Sequence, residues 1–297
     1  MSGSMSFLLN LLVNGIVVGA LYSLIALGFV LIYKASGVLN LAQGEMVLLG
    51  AYIGLTLTTG LKVPFLLGLV LAIGVSALVG MGIERVVLRP FIGEPPISII
   101  MVTMGLSLLL RALMHFIWGT ELRSFQGLFS NNPIVLGPVR LSEVFLWSFA
   151  AAIFLLIALT LFFKYSLLGI AMRATADDEQ AALSMGISVK RVLGATWAVA
   201  AMVASVGGIF LGNIAGVNPL LTSYGLKVLP VAILGGLDSV PGAIVGGFVI
   251  GILENLAGGY LDTYWPGIKE VAPFIVLVII LLIKPYGLYG KEIIERV

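Results

Sequence analysis

Phe7 to Tyr33 reads FLLNLLVNGIVVGALYSLIALGFVLIY, an apolar stretch without a single charge, interrupted only by Asn10 and Asn14. A helix crosses a bilayer with about 20 apolar residues, so this stretch is long enough to span. The rest of the chain repeats the theme. Further apolar runs cover Met46–Gly60, Val63–Ile83, Ile97–Trp118, Val144–Phe163, Val192–Val217, Tyr224–Leu237, Val240–Leu256 and Val271–Ile283. The runs at 224–237 and 271–283 are short.

Composition agrees. The 297 residues are 60% hydrophobic and only 10% charged, against about 25% charged in soluble domains. Mean hydropathy is +1.16. There is too little polar surface to coat a soluble globule of this size. The fold expected is an all-α polytopic membrane protein, one transmembrane domain over 1–297, with about eight or nine transmembrane helices. No cysteine is present, and His115 is the one histidine, so no thiolate or His-cluster metal site and no cofactor is expected. A net charge of +2 offers nothing to nucleic acid. Met1–Ser6 carries no Lys or Arg, so no cleavable leader is expected.

Loop cations set orientation. With the N-terminus outside and every run crossing once, the inner set is Lys34, Arg85, Arg89, Lys164, Arg173, Lys190, Arg191, Lys284, Lys291 and Arg296. The outer set is Lys62, Arg123, Arg140, Lys227 and Lys269. The bias places the C-terminus inside and demands an odd number of crossings, which fails if 224–237 is re-entrant. The longest polar connection is Gly119–Ser142, with Asn131-Asn132-Pro133 as its turn signal.

Small residues recur four apart at Gly15/Gly19, Gly208/Gly212/Gly216, Gly242/Gly246 and Gly247/Gly251. Such spacing lets helix backbones approach closely in lipid. No GxxxxGK[ST], HExxH or GxSxG occurs, so no phosphate-cradling loop or catalytic set is expected, and the chain reads as a conduit.

Two glycine-rich breaks interrupt the apolar pattern. The first is Gly37-Val38-Leu39-Asn40-Leu41-Ala42-Gln43-Gly44-Glu45, the second Gly235-Gly236-Leu237-Asp238-Ser239-Val240-Pro241-Gly242-Ala243. The first fits an ordinary cytoplasmic turn after the first span. Each fits a discontinuous helix lining a cavity, where freed backbone groups can be satisfied, and paired breaks in two halves point to a central site and an internal repeat. Between Lys164 and Arg191, Thr175 is a candidate N-cap with Asp178 as its capping-box acid, and Gly186 is a natural stop. Asp177, Asp178 and Glu179 with Ala181, Ala182, Leu183 and Met185 are expected to form a short amphipathic helix that lies on the membrane or docks into a partner's groove, the three acids suiting the groove better. Glu254, Arg111 and His115 are charges within apolar runs, functional candidates or structural pairs.

Together these residues resemble the LivH-type permeases of branched-chain amino acid ABC importers, with urea and short-chain amide permeases close behind. Asn14-Gly15 through Gly28 is similar to that family's first span. Gly37–Glu45 running on to Leu49-Gly50-Ala51-Tyr52 is the most specific match, although the family commonly has His where Gln43 stands. Glu179-Gln180-Ala181-Ala182 with Gly186 resembles the EAA-type coupling segment, and Gly235-Gly236 with Pro241-Gly242 the second-half motif. Lys284-Pro285-Tyr286-Gly287-Leu288-Tyr289-Gly290 resembles the usual ending.

The resemblance implies two cytosolic P-loop ATPase subunits, a second permease of LivM type and an extracytoplasmic solute-binding protein, all around a permease in a prokaryotic inner membrane. The residues nominated for the translocation path are Asn40, Gln43, Gly44, Glu45, Gly235, Gly236, Asp238 and Gly242. Those nominated for ATPase coupling are Thr175, Asp178, Glu179, Ala182 and Gly186. The competing expectation is a transporter that works without an ATPase. Its marker would be a pair of buried ion-coupling acids, with Glu45 and Glu254 as candidates.

Overall fold

The computed structural model describes residues 2–125, 134–136 and 139–290. The turn expected at Asn131-Asn132-Pro133 lies outside them, as do Lys291 and Arg296. The described chain is helical apart from one small hairpin. Its helices are α1 (Ser2–Ser36), α2 (Gln43–Leu55), α3 (Phe65–Ile83), α4 (Pro96–Trp118), α5 (Glu143–Tyr165), α6 (Leu167–Asp177), α7 (Glu179–Ser184), α8 (Val189–Ala215), α9 (Ser223–Gly235), α10 (Val240–Tyr260) and α11 (Ile268–Ile283). Strands β1 (Ile134–Leu136) and β2 (Val139–Leu141) pair antiparallel between α4 and α5. Six helical stretches are long and apolar enough to cross a membrane, containing α1, α3, α4, α5, α8 and α10.

α1 is apolar on every side, and a helix of that kind must be buried on every side. In its apolar window 89% of residues are buried, against 17% for α5. One side of α1 is closed by α10. A Cβ on Gly15 would stand 2.7 Å from the Ile252 Cα, and one on Gly19 would stand 2.8 Å from the Gly247 carbonyl oxygen. Gly251 in turn faces the Gly19 backbone. The two expected small-residue pairs therefore meet each other, backbone on backbone. The Ser23 hydroxyl donates to the Ile244 carbonyl at 2.9 Å a turn further on. Neighbours 15→252, 19→247 and 23→244 make the helices antiparallel.

α8 lies against α1, also antiparallel, with Ile25 beside Gly207 and Gly28 beside Ala200. α8 then packs on α3, where a Cβ on Gly80 would stand 2.5 Å from the Trp197 carbonyl. This produces a recurring plan. A long helix, a break, a short helix and two more helices occur as α1–α4 and again as α8–α11. The long helix of each set packs on the third helix of the other, α1 on α10 and α8 on α3. Because α1 and α8 run in opposite directions, the two sets are inverted, the arrangement that repeat-built transporters use.

The two ends of the bundle are distinct. Phe7 touches Tyr260 edge-on at 5.6 Å, and Trp118 stacks on Tyr52 at 5.0 Å. That end also holds the bridge between Arg123 and Val217. At the other end the Leu288 and Tyr289 amides donate to the Leu234 and Gly235 carbonyls, folding the tail over the α9–α10 turn. Gly235 and Gly242 meet backbone to backbone there. Of the cations assigned to loops, Lys34, Arg85, Arg89, Lys164, Arg173, Lys190, Arg191 and Lys284 fall at this second end. Lys227 is a correction: it is only 8% exposed, inside α9, because two carboxylates draw it into the bundle.

Gly251→Ala should lower the thermal midpoint of detergent-solubilised protein, at a cost of about 1–3 kcal/mol, because the facing group is backbone and cannot step aside. Gly74→Ala, where a Cβ meets nothing within 4 Å, should leave the midpoint unchanged or slightly raised. Equal effects from both would refute the backbone contact.

Candidate functional site

The first break is not an exposed turn. α1 ends at Ser36, Gly37 turns with φ +69°, and the chain folds back into the bundle. Asn40 and Gln43 are fully buried, and Glu45 is 2% exposed. The Asn40 side-chain oxygen accepts from the Ala42 amide at 3.0 Å, and its Nδ2 donates to the Gln43 Oε1 at 3.2 Å. These bonds replace the helical ones lost at the break. α2 thus starts inside the protein, with Gln43 pressed against Gly28 of α1.

α9 also starts inside. Gly216 has φ +83°, the Asn218 side chain accepts from the Leu220 amide at 3.0 Å, and Pro219–Thr222 forms a 3-10 turn. Tyr224 then sits 6.2 Å from Tyr22, halfway along α1. The N-terminal turns of α2 and α9 touch, with Gly44 against Gly225 and the Thr222 carbonyl. The partner of the first break is therefore 216–222, not 235–242 as the sequence pairing had it. Gly235, Gly236, Asp238 and Gly242 form the turn at the second end, where Gly236 has φ +106° and Ser239 caps α10 through the Gly242 amide at 3.1 Å. A glycine-rich turn and a glycine-rich half-helix start look alike in sequence, which is why the pairing slipped.

Each half-helix carries an ion pair to the fourth helix of its own set. Glu45 of α2 accepts from Arg111 of α4 at 2.5 Å. Lys227 of α9 pairs with Glu270 of α11 and lies 3.4 Å from Glu254 of α10. The signs are reversed between the halves. Glu254, 2% exposed, also accepts from the Tyr22 hydroxyl at 2.8 Å. It is thus one member of a four-helix cluster joining α1, α9, α10 and α11.

The Arg111 side chain is 44% exposed, although it lies within a helix of membrane-spanning length. Its Nε, the His115 Nε2 one turn on and the Gln43 Nε2 are buried without hydrogen-bond partners among the described residues. A cavity of about 80 Å³ lies between Glu45, Arg111, Ser107, Gly44, Thr222 and Gly225, with room for a few waters. An intramembrane guanidinium is costly against lipid tails and is found facing protein or water.

The 164–191 segment holds two helices rather than the one expected. Ser166 caps α6 through the Gly169 amide at 2.9 Å. Asp178, not Thr175, caps α7, accepting from the Ala181 amide at 2.9 Å. Thr175 sits inside α6 and donates to the Ala171 carbonyl at 2.9 Å. Asp178 wins the cap because its backbone is extended, φ −156°, as a cap residue requires. Gly186 takes φ +82° and ends the segment. Ala182 is buried against the bundle, Glu179 starts α7, and Leu183 and Met185 are 52% and 82% exposed.

Comparison with known proteins now decides the family. The family described as "Branched-chain amino acid transport system / permease component" matches residues 11–283. The chain belongs to this family. The branched-chain amino acid permease LivH of Escherichia coli K12 is 33% identical over 312 residues, covering 100% of both chains. BraD of Pseudomonas aeruginosa is 31% identical over 303 residues, covering 97% of this chain and 98% of its own. The fructose import permease FruF of Bifidobacterium longum is 24% identical over 80% of this chain and 67% of its own. A chain of PsaBC from Streptococcus pneumoniae in complex with Fab covers 93% of this chain and 90% of its own, at a TM-score of 0.46 and 16% identity.

The permease is thus a multi-pass membrane protein of a transport family rather than a catalyst. Of the path residues nominated from sequence, Asn40, Gln43, Gly44 and Glu45 come together at the internal break. Arg111 was visible as an intramembrane charge but not as the partner of Glu45. Thr222, Gly225 and Lys227 were missed at this site; Pro219 and Gly225 itself, at the start of the short 224–237 run, were the available signals.

Lys227→Met should destabilise the permease by about 3–5 kcal/mol, because Glu254 stays buried without its cation. Adding Glu254→Gln should restore most of the loss. Thermal midpoints of the single and double variants test this, and an unaltered single variant would rule out a structural role for the pair.

Proposed function

We propose that this permease forms, in a prokaryotic inner membrane, the translocation path for branched-chain or other hydrophobic amino acids, driven by ATP hydrolysis on two cytosolic P-loop ATPases. The names of its relatives in Escherichia coli and Pseudomonas aeruginosa support the solute. The end carrying Lys34, Arg85, Arg89, Lys164, Arg173, Lys190, Arg191 and Lys284 is cytoplasmic by the positive-inside rule. The N-terminus is then outside and the C-terminus inside.

The observation that carries this reading is the meeting of the two half-helix N-termini at Gly44 and Gly225, beside the half-exposed Arg111. Amides at a helix start favour negative charge, and an amino acid brings a carboxylate. The cavity of about 80 Å³ does not hold a solute by itself. A second permease subunit of LivM type, laid on the Arg111 face of α4, would complete the path. Asn40, Gln43, Gly44 and Glu45 then line it, while Gly235, Gly236, Asp238 and Gly242 form its cytoplasmic hinge. An extracytoplasmic binding protein delivers the solute at the opposite end.

Coupling falls to α7 and the residues around it: Thr175 in the last turns of α6, then Asp178, Glu179, Ala182 and Gly186. Leu183 and Met185 offer exposed apolar side chains to an ATPase groove. Met185→Glu should leave extraction yield unchanged and reduce solute-stimulated ATP hydrolysis of the assembled transporter by about tenfold, the effect of losing one buried apolar anchor. Unchanged hydrolysis would remove α7 from the coupling interface.

The reading as a whole is tested by gentle extraction from the native membrane and mass spectrometry of what co-purifies. A P-loop ATPase and a second permease are expected. A chain that runs alone and moves solute in liposomes without ATP would instead make it a secondary transporter. A complex that transports urea or short-chain amides, and not leucine, would keep the class and change the solute.

A further inference from the structure

At the cation-rich end a crevice of about 360 Å³ opens where α1, α5, α6 and the start of α10 meet. Three cations stand on its walls: Lys34 at the end of α1, Lys164 at the end of α5 and Arg173 on α6. Among the described residues none of them forms a salt bridge. Arg173 donates only to the Lys164 carbonyl at 3.3 Å, and the Lys164 ammonium lies 5.1 Å from the Tyr165 ring centre. Among the described residues Asp238 is the single carboxylate on the walls, against three cations.

Its floor is different. Leu31, Phe163 and Met172 are buried and apolar, and they pack together beneath the cations. The two helices that supply these walls also carry exposed apolar side chains: on α5 and α6, Leu161, Leu167 and Ile170 are 51%, 87% and 45% exposed, and Tyr165 between them is 67% exposed. An exposed aliphatic band ending at a tyrosine and a pair of lysines marks the level where hydrocarbon gives way to headgroups. A soluble anion has no use for that apolar floor. α5, which supplies one wall, is also the least buried of the long apolar helices, with 17% of its apolar window buried.

We propose that this crevice binds an anionic phospholipid, its phosphate held by Lys34, Lys164 and Arg173 and the start of its acyl chains laid over Leu31, Phe163 and Met172. Basic pockets between membrane helices bind lipid headgroups by this combination of charge and apolar contact. The lipid would fasten α6 to α1 and α5, and so steady the segment that leads into α7. The site requires only that the protein sits in a bilayer, so it stands or falls separately from the importer reading.

The test is photo-crosslinking in membranes that carry the assembled complex. Photoactivatable phosphatidylglycerol should label the segment 160–173, and photoactivatable phosphatidylcholine should not. Lys164→Gln should reduce the label about fivefold, and Lys164→Gln with Arg173→Gln about thirtyfold, as follows from the worth of each cation at a membrane surface. Both side chains reach solvent, so extraction yield should hold. Equal labelling by the two lipids, or labelling untouched in the double variant, would overturn the site. So would displacement of the label by millimolar inorganic phosphate, which would make it a free-phosphate site. A polypeptide cross-linked there in place of lipid would do the same.

Discussion

α1 is wrapped by α10 on one side and α8 on another, and both contacts are possible because the facing surfaces carry almost no side chain. Gly15 and Gly19 meet Gly247 and Gly251. In lipid, burying apolar surface gains little, since the tails are as apolar as leucine. Close backbone approach, with dispersion and helix-to-helix hydrogen bonds such as Ser23 to Ile244, replaces that driving force. The outer helices α3, α4 and α5 show the opposite pattern, with large exposed aliphatic side chains turned outward. The small-residue seams therefore set the architecture, and the large residues cover it.

Within that frame the polar groups are few and paired. Glu45 with Arg111 ties α2 to α4; Lys227 with Glu270 and Glu254 ties α9 to α11 and α10. The short helix carries the carboxylate in the first half and the cation in the second. The same logic accounts for Glu84, buried at the cation-rich end with Arg89 on it at 2.7 Å. Each pair pins a break or an end that would otherwise be free to shift.

Much of this was legible in the residues. Every apolar run became a helix, and the glycine spacings at 15/19 and 247/251 mark a real seam. What the sequence left open is depth. Nothing in Gly37–Glu45 says whether the chain turns in water or inside protein; Gln43–Glu45 read as loop and are the first turn of α2. Burial of Gln43 depends on Gly28 across the way, which is a tertiary fact. The same blindness put Lys227 in an outer loop, since a lysine at the edge of a short run looks like a boundary until its carboxylates arrive from α10 and α11. Thr175 lost the cap to Asp178 because α6, an amphipathic helix, continues through it.

The exchange of helices between the two halves has a consequence in time. Tyr22 and Glu254 are 232 positions apart, and synthesis proceeds at about 5–20 residues per second, so α1 waits roughly 10–50 s for α10. Through that interval the Gly15–Gly19 stripe is bare to lipid and open to any other small-residue helix in the neighbourhood. The first helix to enter the membrane is thus among the last to reach its final partner, and the chain is most exposed to wrong pairing when it is almost finished.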